Sequence, residues 1–215
     1  MRITAIRRPR RSSHRFSIFL DGTYAFSLSE ETILLHSLSV GTELDEAQTT
    51  QILAEDEGKQ AKESALQYLS YRPRTRKEVR DKLQEKGYGS RVIEDVLGTL
   101  ERLRLVDDRD FAARWVEERL RLKPRGRRLL LQELRQKGVS REDAVGAVGE
   151  AFEDVEEWEL ALGLLRKRMA RYRGLERAQA IRRMYGFLAR RGFEAELSRD
   201  VTQEVARELF GDEVE

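Results

Sequence analysis

The stretch PRTRKEVRDKLQEKGY, from Pro73 to Tyr88, returns 51 residues later as PRGRRLLLQELRQKGV, from Pro124 to Val139. The copies share the proline, two arginines, a leucine and the closing Lys-Gly pair, and a weaker third copy, LARRGF, ends at Phe193. Self-similarity at a period of about 50 residues is typical of stacked helical units. The sequence therefore predicts a mostly α protein, built as a tandem array of three three-helix repeats.

Apolar residues that recur every four positions predict the helices of each repeat. The first helices carry Ala61/Ala65/Leu69, Ala112/Val116/Leu120 and Ala161/Leu165/Met169, the second Val79/Leu83, Leu130/Leu134 and Met184/Leu188, and the third Val96/Leu100, Ala147/Ala151 and Val201/Val205. Gly87, Gly138 and Gly192 follow the second helices, where a left-handed residue commonly ends a helix. The third repeat lacks the proline and carries a five-residue insertion within 171–177, a loop in which we expect a specialised contact.

A small β-hairpin segment is predicted before the array, because FSIFLDGTYAFSL contains the turn signal Asp21-Gly22 between apolar runs. A two-residue loop would divide the apolar side chains between both faces. A three-residue loop would gather them on one face, and they are Phe16, Ile18, Leu20, Tyr24, Phe26 and Leu28. We expect the three-residue loop, since a one-residue slip moves the whole apolar set. Ile3 and Ala5 indicate a third strand, and Ser29 predicts the capped start of a short helix.

These patterns predict four segments. Residues 1–44 form the hairpin segment and short helix, 45–107 a linker helix and repeat 1, 108–156 repeat 2, and 157–215 repeat 3. The high charged fraction, 37%, and the low aromatic fraction, 7%, favour small stacked units over one thick core.

Composition excludes several classes of protein. Cysteine is absent and the two histidines, His14 and His36, lie in different segments, so neither disulfides nor a metal site is expected. No apolar run approaches the roughly 20 residues that span a bilayer, and we expect a cytoplasmic protein. Walker, HExxH and GxSxG patterns are absent, so an enzyme is not expected. Asp107, Asp108 and Asp110 precede a helix, where capping explains them better than metal binding.

The charges are segregated along the chain. Ten Lys/Arg and one Glu lie within 166–191, and eight Lys/Arg and one Glu within 119–137, whereas 142–159 holds eight acids and no base. Such blocks indicate either a polyanionic or acidic partner, or pairing between basic and acidic helix faces of the array. The sequence leaves both explanations open.

Arginines recur with the proline at the turns into the second helices. A rigid turn needs the proline ring but not the charges, so we interpret these arginines as contacts for a partner, with solvated turns as the alternative. Phosphate could also meet free backbone amides at these helix starts. Tyr172 lies between arginines and could stack on a base, whereas Trp115 and Tyr68 are expected to pack in the core. The candidate partner- or DNA-binding residues are Arg72, Arg74, Arg76, Lys77, Arg125, Arg127, Arg128, Arg171, Tyr172, Arg173, Arg177, Arg182 and Arg183.

The stretches ALQYLSYRPRTRKEVRDKLQEKGY, VIEDVLGTLERLRLVDDRDFAARWVEERL and GRRLLLQELRQKGV, within 61–139, resemble the bacterial RecX regulatory family. The resemblance implies a non-enzymatic modulator of the RecA recombinase, with tandem three-helix repeats that lie in the groove of the RecA-DNA filament. It also implies inhibition of ATP hydrolysis and strand exchange in recombination, DNA repair and the SOS response. The family brings no catalytic residues or cofactors, and weak DNA binding is implied for some members.

Two functions from different classes follow, and a helical scaffold for some other partner is a third possibility. The first is a regulator whose partner is the RecA filament, with no membrane and no small-molecule substrate. The second is a direct binder of single- or double-stranded DNA, because three-helix units with basic second helices also resemble helix-turn-helix modules. Either function leads us to expect that charge reversal at Arg125, Arg127 and Arg128 weakens binding and leaves the fold intact.

Overall fold

Three strands and ten α-helices follow one another in residues 1–8 and 15–211, which a computed structural model describes. The expected class is confirmed: the protein is mostly helical, with three three-helix repeats after a small antiparallel sheet. The chain divides into two units, one of Met1–Arg72 with Val79–Leu105 and one of Pro73–Glu78 with Val106–Glu215.

The sheet contains β1 (Ile3–Arg7), β2 (Arg15–Leu20) and β3 (Thr23–Ser29), paired in that order. Helix α1 (Glu30–Leu35) follows directly, and the Ser29 hydroxyl accepts a hydrogen bond from Thr32 N at 3.1 Å. The third strand and the capped helix start are therefore confirmed.

The hairpin loop contains two residues, so the expected three-residue loop is wrong. Leu20 pairs with Thr23 across Asp21 and Gly22, where both loop residues have positive φ. The register then shifts next to Ile18, so that Ile18 pairs with Phe26. On the side away from the turn, Ile18 pairs with Phe26 and Phe16 with Leu28, as the three-residue loop had predicted. Tyr24, on the turn side of the irregularity, is 55% exposed. A bulge thus reconciles the tight turn with a single apolar face.

The buried carboxylate of Asp56 links the sheet and α1 to the next helix. Asp56 is 2% exposed, and it accepts hydrogen bonds from Ser29 N at 2.9 Å and Thr32 Oγ1 at 2.8 Å. Arg15 Nη2 lies 3.0 Å from Asp56 Oδ2. Burial raises the pKa of Asp56, but these hydrogen bonds and the charge of Arg15 outweigh it, so the pKa is lowered.

The helices of the repeats begin and end close to the predicted positions. Repeat 1 has α2 (Glu46–Leu69), α3 (Arg76–Glu85) and α4 (Ser90–Arg102), repeat 2 has α5 (Asp108–Leu122), α6 (Arg127–Gln136) and α7 (Arg141–Ala151), and repeat 3 has α8 (Glu157–Arg166), α9 (Arg177–Arg190) and α10 (Ala195–Phe210). The segment expected as a linker helix is the first part of the continuous 24-residue α2.

Each of the later repeats has its own apolar core. In repeat 2, Ala112 and Val116 of α5 are buried with Leu130 and Leu134 of α6, and α7 closes the cluster. Repeat 3 buries the equivalent face of α8 against α9 and α10 in a separate cluster. The four-residue spacing therefore identified the buried faces correctly.

Candidate partner-binding surface

The Pro-Arg elements lie at the starts of α3 and α6, and an acid that opens the next repeat caps each start. Arg76 N donates to Asp108 Oδ1 at 2.7 Å, and Arg127 N donates to Glu157 Oε1 at 3.1 Å. A protein carboxylate occupies the first amide of each helix, where we had considered a phosphate. The first amide of each of these two helices is therefore not free to bind a phosphate.

The glycines after the second helices allow close approach as well as a left-handed turn. A Cβ at Gly138 would lie 2.4 Å from Lys77 Cβ, and a Cβ at Gly192 would lie 2.3 Å from Leu129 Cβ. Both glycines have positive φ, as does Gly87, where a Cβ would meet nothing within 4 Å. Two of the three glycines therefore serve the joint between repeats in addition to ending a helix.

Two candidate arginines are engaged within the protein. Arg125 forms an ion pair with Glu133, whose side chain is 14% exposed. Arg127 Nε lies 3.4 Å from Glu157 Oε2, and its guanidinium lies 4.4 Å from the centre of the Phe152 ring. Arg125 thus pairs within repeat 2, and Arg127 pairs with the first helix of repeat 3. Charge reversal at Arg125 or Arg127 would place a carboxylate against Glu133 or Glu157, so we now expect it to weaken these contacts as well as binding. The effect on the fold stays a prediction.

The remaining candidate cations differ in exposure. Arg72, Lys77, Arg128, Arg171, Arg173, Arg182 and Arg183 are exposed, whereas Arg74, Arg76 and Arg177 are half-buried. Exposure of the charged group is the first requirement for contact with a partner, and three of the exposed arginines, Arg171, Arg182 and Arg183, line one cleft, described below.

Tyr172 lies in the core of repeat 3. It is 4% exposed and packs in the cluster that contains Leu165 and Met184, so its interpretation as an exposed stacking residue is wrong. The insertion instead contributes to the core, because Leu175 packs against the same cluster. Trp115 stacks on Phe111 with ring centres 5.6 Å apart, which confirms its expected packing role.

Arginines converge in the second unit to form what we call the arginine cleft. It encloses about 500 Å³ and is lined by Arg168, Arg171, Arg182, Arg183, Arg190, Tyr172 and Phe187. Arg190 also lines a neighbouring cavity of about 350 Å³, together with Arg128 of α6. The two cavities bring exposed cations of two second helices, α6 and α9, close to one another.

The positive charge of the cleft is not balanced by nearby acids. In the part of the chain that the structure describes, Arg171, Arg182, Arg183 and Arg190 form no ion pair. Five guanidinium groups around one cleft produce a strong positive potential. This is the arrangement expected for an anionic partner.

Arg168 of the cleft and a further arginine, Arg191, lie against the same aromatic ring. The guanidinium groups of Arg168 and Arg191 lie 4.3 and 4.8 Å from the centre of Phe187. Burial lowers the pKa of Arg191, and the charges of Arg125 and Arg168 lower it further. Burial is the larger cause, and the two neighbouring guanidinium charges add repulsion at this joint.

Sequence reasoning missed Arg168, Arg190 and Phe187. The basic block 166–191 contained the two arginines, and Arg190 lies seven positions after Arg183 on the same helix, so helical spacing could have found it. The position of Arg168 depends on the turn after α8, for which the sequence carries no comparable signal.

The aspartate before α5 caps that helix. Asp107 Oδ1 accepts a hydrogen bond from Asp110 N at 2.9 Å, which confirms the capping role of the aspartate cluster. Among the described residues, no group of three His, Cys, Asp or Glu side chains could hold a metal ion. His14 lies outside the described residues. No described helix has both the length and the apolar character needed to cross a bilayer.

Comparison with known proteins identifies the family. Sequence models of the RecX N-terminal domain and of the first, second and third RecX three-helix domains match residues 1–45, 61–100, 107–147 and 154–202. A regulatory protein RecX of Amycolatopsis mediterranei is 40% identical over 154 residues, which are 72% of this chain and 87% of that protein. The chain belongs to the RecX family.

Other members agree in sequence and in structure. A regulatory protein RecX of Limosilactobacillus reuteri is 32% identical over 89% of this chain and 72% of its own length. A crystal structure of regulatory protein RecX matches with a TM-score of 0.70 and 31% identity, over 94% of this chain and 98% of that one. RecX from Lactobacillus salivarius matches with a TM-score of 0.63 and 26% identity, over 70% and 97%. A regulatory role in the RecX family follows.

Proposed function

We propose that this chain is a non-enzymatic regulator that binds in the groove of the RecA-DNA filament and inhibits ATP hydrolysis and strand exchange. The arginine cleft is the observation that carries the proposal, because its cations lack acidic partners among the described residues. Family membership supports the choice of recombinase as the target. Such a regulator acts by occupying a surface, so it needs complementary shape and charge rather than catalytic groups.

The chemistry of the cleft suits an anionic surface that is presented by a polymer. Arginine offers planar pairs of N–H donors that match carboxylates and phosphates, and a cluster of cations accelerates encounter with an acidic partner. Several weak contacts along a filament reinforce one another through effective concentration. The exposed candidates Arg171, Arg182 and Arg183 act as direct contacts, whereas Arg125 pairs within repeat 2 and Arg127 pairs across the joint between repeats 2 and 3.

The test is the ATPase activity of RecA on single-stranded DNA, with the chain added below the concentration of RecA. We expect inhibition by the unaltered chain and weaker inhibition by an Arg182→Glu/Arg183→Glu variant. Arg199→Glu is the matched control, because Arg199 is an exposed arginine of α10 that does not line the cleft. Unchanged ATPase activity with the unaltered chain would contradict the proposal.

Direct DNA binding is the second candidate, and the same cleft favours it, since phosphates bind arginine clusters without sequence preference. Fluorescence anisotropy with a labelled oligonucleotide, measured across a salt series, separates the two functions. Tight binding to DNA alone with a steep salt dependence would favour the second candidate. Tight binding that requires RecA would favour the first.

A further inference from the structure

A groove between α2 and α4 in the first unit has no part in the function proposed above. It encloses about 520 Å³, and the apolar residues that line it are Ala54, Val92 and Val96. Gly58 of α2 also lines the groove. A Cβ at Gly58 would meet nothing within 4 Å, so no close approach of another element explains this glycine.

Repeat 2 contains the same groove, but there it is bridged. Each residue that lines the groove between α5 and α7 lies 51 positions after one that lines the α2–α4 groove. Arg109 replaces Gly58, and Glu150 replaces Thr99. Arg109 Nη2 and Glu150 Oε1 lie 3.7 Å apart, and this groove encloses about 230 Å³. The two long side chains thus reach across a space that repeat 1 leaves open.

Repeat 3 fills the corresponding position with an aromatic ring. Trp158 lies 49 positions after Arg109, which is the offset between the first helices of repeats 2 and 3. It is half-buried and packs against the core cluster that includes Leu162 and Val201. The three repeats therefore carry an open position, a bridged position and a position filled by an indole.

Gly58 is unfavourable for the helix that contains it. Gly58 lies in the interior of the 24-residue α2, where glycine is disfavoured because it loses more conformational freedom on folding than other residues. Neither helix formation nor packing within the described chain requires it. Gly58 shares this open setting with Gly98, Gly146 and Gly163 in other helices, and what distinguishes it is its place in the wider, unbridged groove of repeat 1.

We propose that the α2–α4 groove is a docking site for an aromatic side chain of a protein partner. Trp158 indicates the occupant, because an indole fills the equivalent position within this chain. Pockets that receive a Trp or Tyr side chain of the partner are typical of the centres of protein interfaces. The proposal goes beyond the regulatory function above and does not depend on it.

The charges around the groove favour a protein over a nucleic acid. Glu55 and Asp95 line it together with Lys62 and Arg91, so both signs are present. Two carboxylates would repel a phosphate backbone. A protein segment with acids and bases around one aromatic residue can instead pair with both signs, which aligns the partner and discriminates against wrong ones.

The test is a two-dimensional NMR titration of the full chain with N-acetyltryptophanamide, with N-acetylalaninamide as the matched control probe. We expect saturable shifts of the Ala54, Gly58, Val92 and Val96 signals with the aromatic probe alone. Gly58→Trp should weaken the binding at least tenfold, whereas Gly58→Ala, which keeps the groove open, should retain it. A thermal melt no lower than that of the unaltered chain verifies folding of each variant.

A second variant covers the case in which Gly58→Trp fails to fold. Gly58→Arg/Thr99→Glu copies the bridge of repeat 2 and should also weaken probe binding at least tenfold. Absence of saturable shifts in the unaltered chain, or equal shifts in the closed variants, would overturn the proposal. Shifts of these residues with a single-stranded oligonucleotide instead would overturn the choice of occupant. Because RecA is absent from this experiment, its result is independent of the ATPase test.

Discussion

Individual residues show how this chain combines a low aromatic content with stable repeats. Leu134 is fully buried in the repeat 2 cluster, at the position that Leu83 and Leu188 hold in the other repeats, and those residues are fully buried too. One leucine column thus supplies each repeat with a central core residue. Small helical units with few aromatic residues depend strongly on such positions.

Leu134→Ala should destabilise the protein by about 2 to 5 kcal/mol, because it removes buried methyl groups and leaves a cavity. Chemical denaturation, followed by circular dichroism, measures the change. Leu122→Ala is the control, since Leu122 is 59% exposed and should change stability little. Equal effects of the two substitutions would show that the apolar face is wrongly assigned.

Asp56→Asn should destabilise the first unit by roughly 1 to 3 kcal/mol at pH 7, because the buried hydrogen bonds and the contact with Arg15 lose their charged acceptor. The lowered pKa of Asp56 also fixes a pH dependence. The stability that the ionised Asp56 contributes is fully present above the pKa of this carboxyl in the unfolded chain, about 4. It is lost as the pH falls through the lower pKa of Asp56 in the folded state.

Urea denaturation between pH 3 and pH 7 measures this dependence, with the exposed Asp200→Asn as the control. The unaltered chain should lose more stability on acidification than Asp56→Asn does. Parallel pH curves for these two proteins would contradict the assignment of the charged Asp56 to this network.

At the scale of elements, the same contacts join repeat 1 to repeat 2 and repeat 2 to repeat 3. An acid at the start of one repeat caps the second helix of the previous repeat, and a glycine at the end of a second helix receives the start of the previous one. The Pro-Arg element and the glycine each recur after 51 residues in the first two copies. The glycine of one copy meets the start of the second helix of the previous copy, so both features belong to one joint. This joint therefore explains part of the repetition in the sequence.

Gly192→Ala should destabilise the protein more than Gly87→Ala does. Both glycines have positive φ, so each substitution adds strain of about 1 kcal/mol. At Gly192 the added Cβ would also lie 2.4 Å from the backbone nitrogen of Leu129, whereas at Gly87 it would meet nothing within 4 Å. Comparison of the two thermal melts measures the cost of the joint alone. Equal losses of stability would show that the close approach at Gly192 contributes nothing.

At the scale of the whole molecule, the segregated charges have two roles. Some of them form the pairs between helices, such as Arg127 with Glu157, and others form the arginine cleft, whose cations lack acidic partners in the described residues. The sequence left these explanations open, and the structure supports each for different residues. The predicted segment boundaries at 44/45, 107/108 and 156/157 stay predictions, which hydrogen exchange could test by measuring separate opening free energies.

Binding through the arginine cleft should weaken with salt. If the target surface is a nucleic acid, the slope of log affinity against log salt should become less negative by about 0.7 for each single-strand phosphate contact that is removed. Arg182→Glu/Arg183→Glu should therefore reduce the slope, and Arg199→Glu should not. Identical slopes for the unaltered chain and the double variant would remove these two arginines from the contact.

The periodicity of the sequence by itself determined the repeats, their helices and their buried faces, because these depend on local spacing and capping. It also predicted the third strand, the left-handed glycines and the basic block that contains the cleft. Tertiary structure alone decided that Tyr172 is buried, that Arg125 and Arg127 are paired, and that Arg168 joins Arg190 in one cleft. Those outcomes depend on which residues from distant segments become neighbours, and a one-dimensional pattern of charge and hydrophobicity does not encode that proximity.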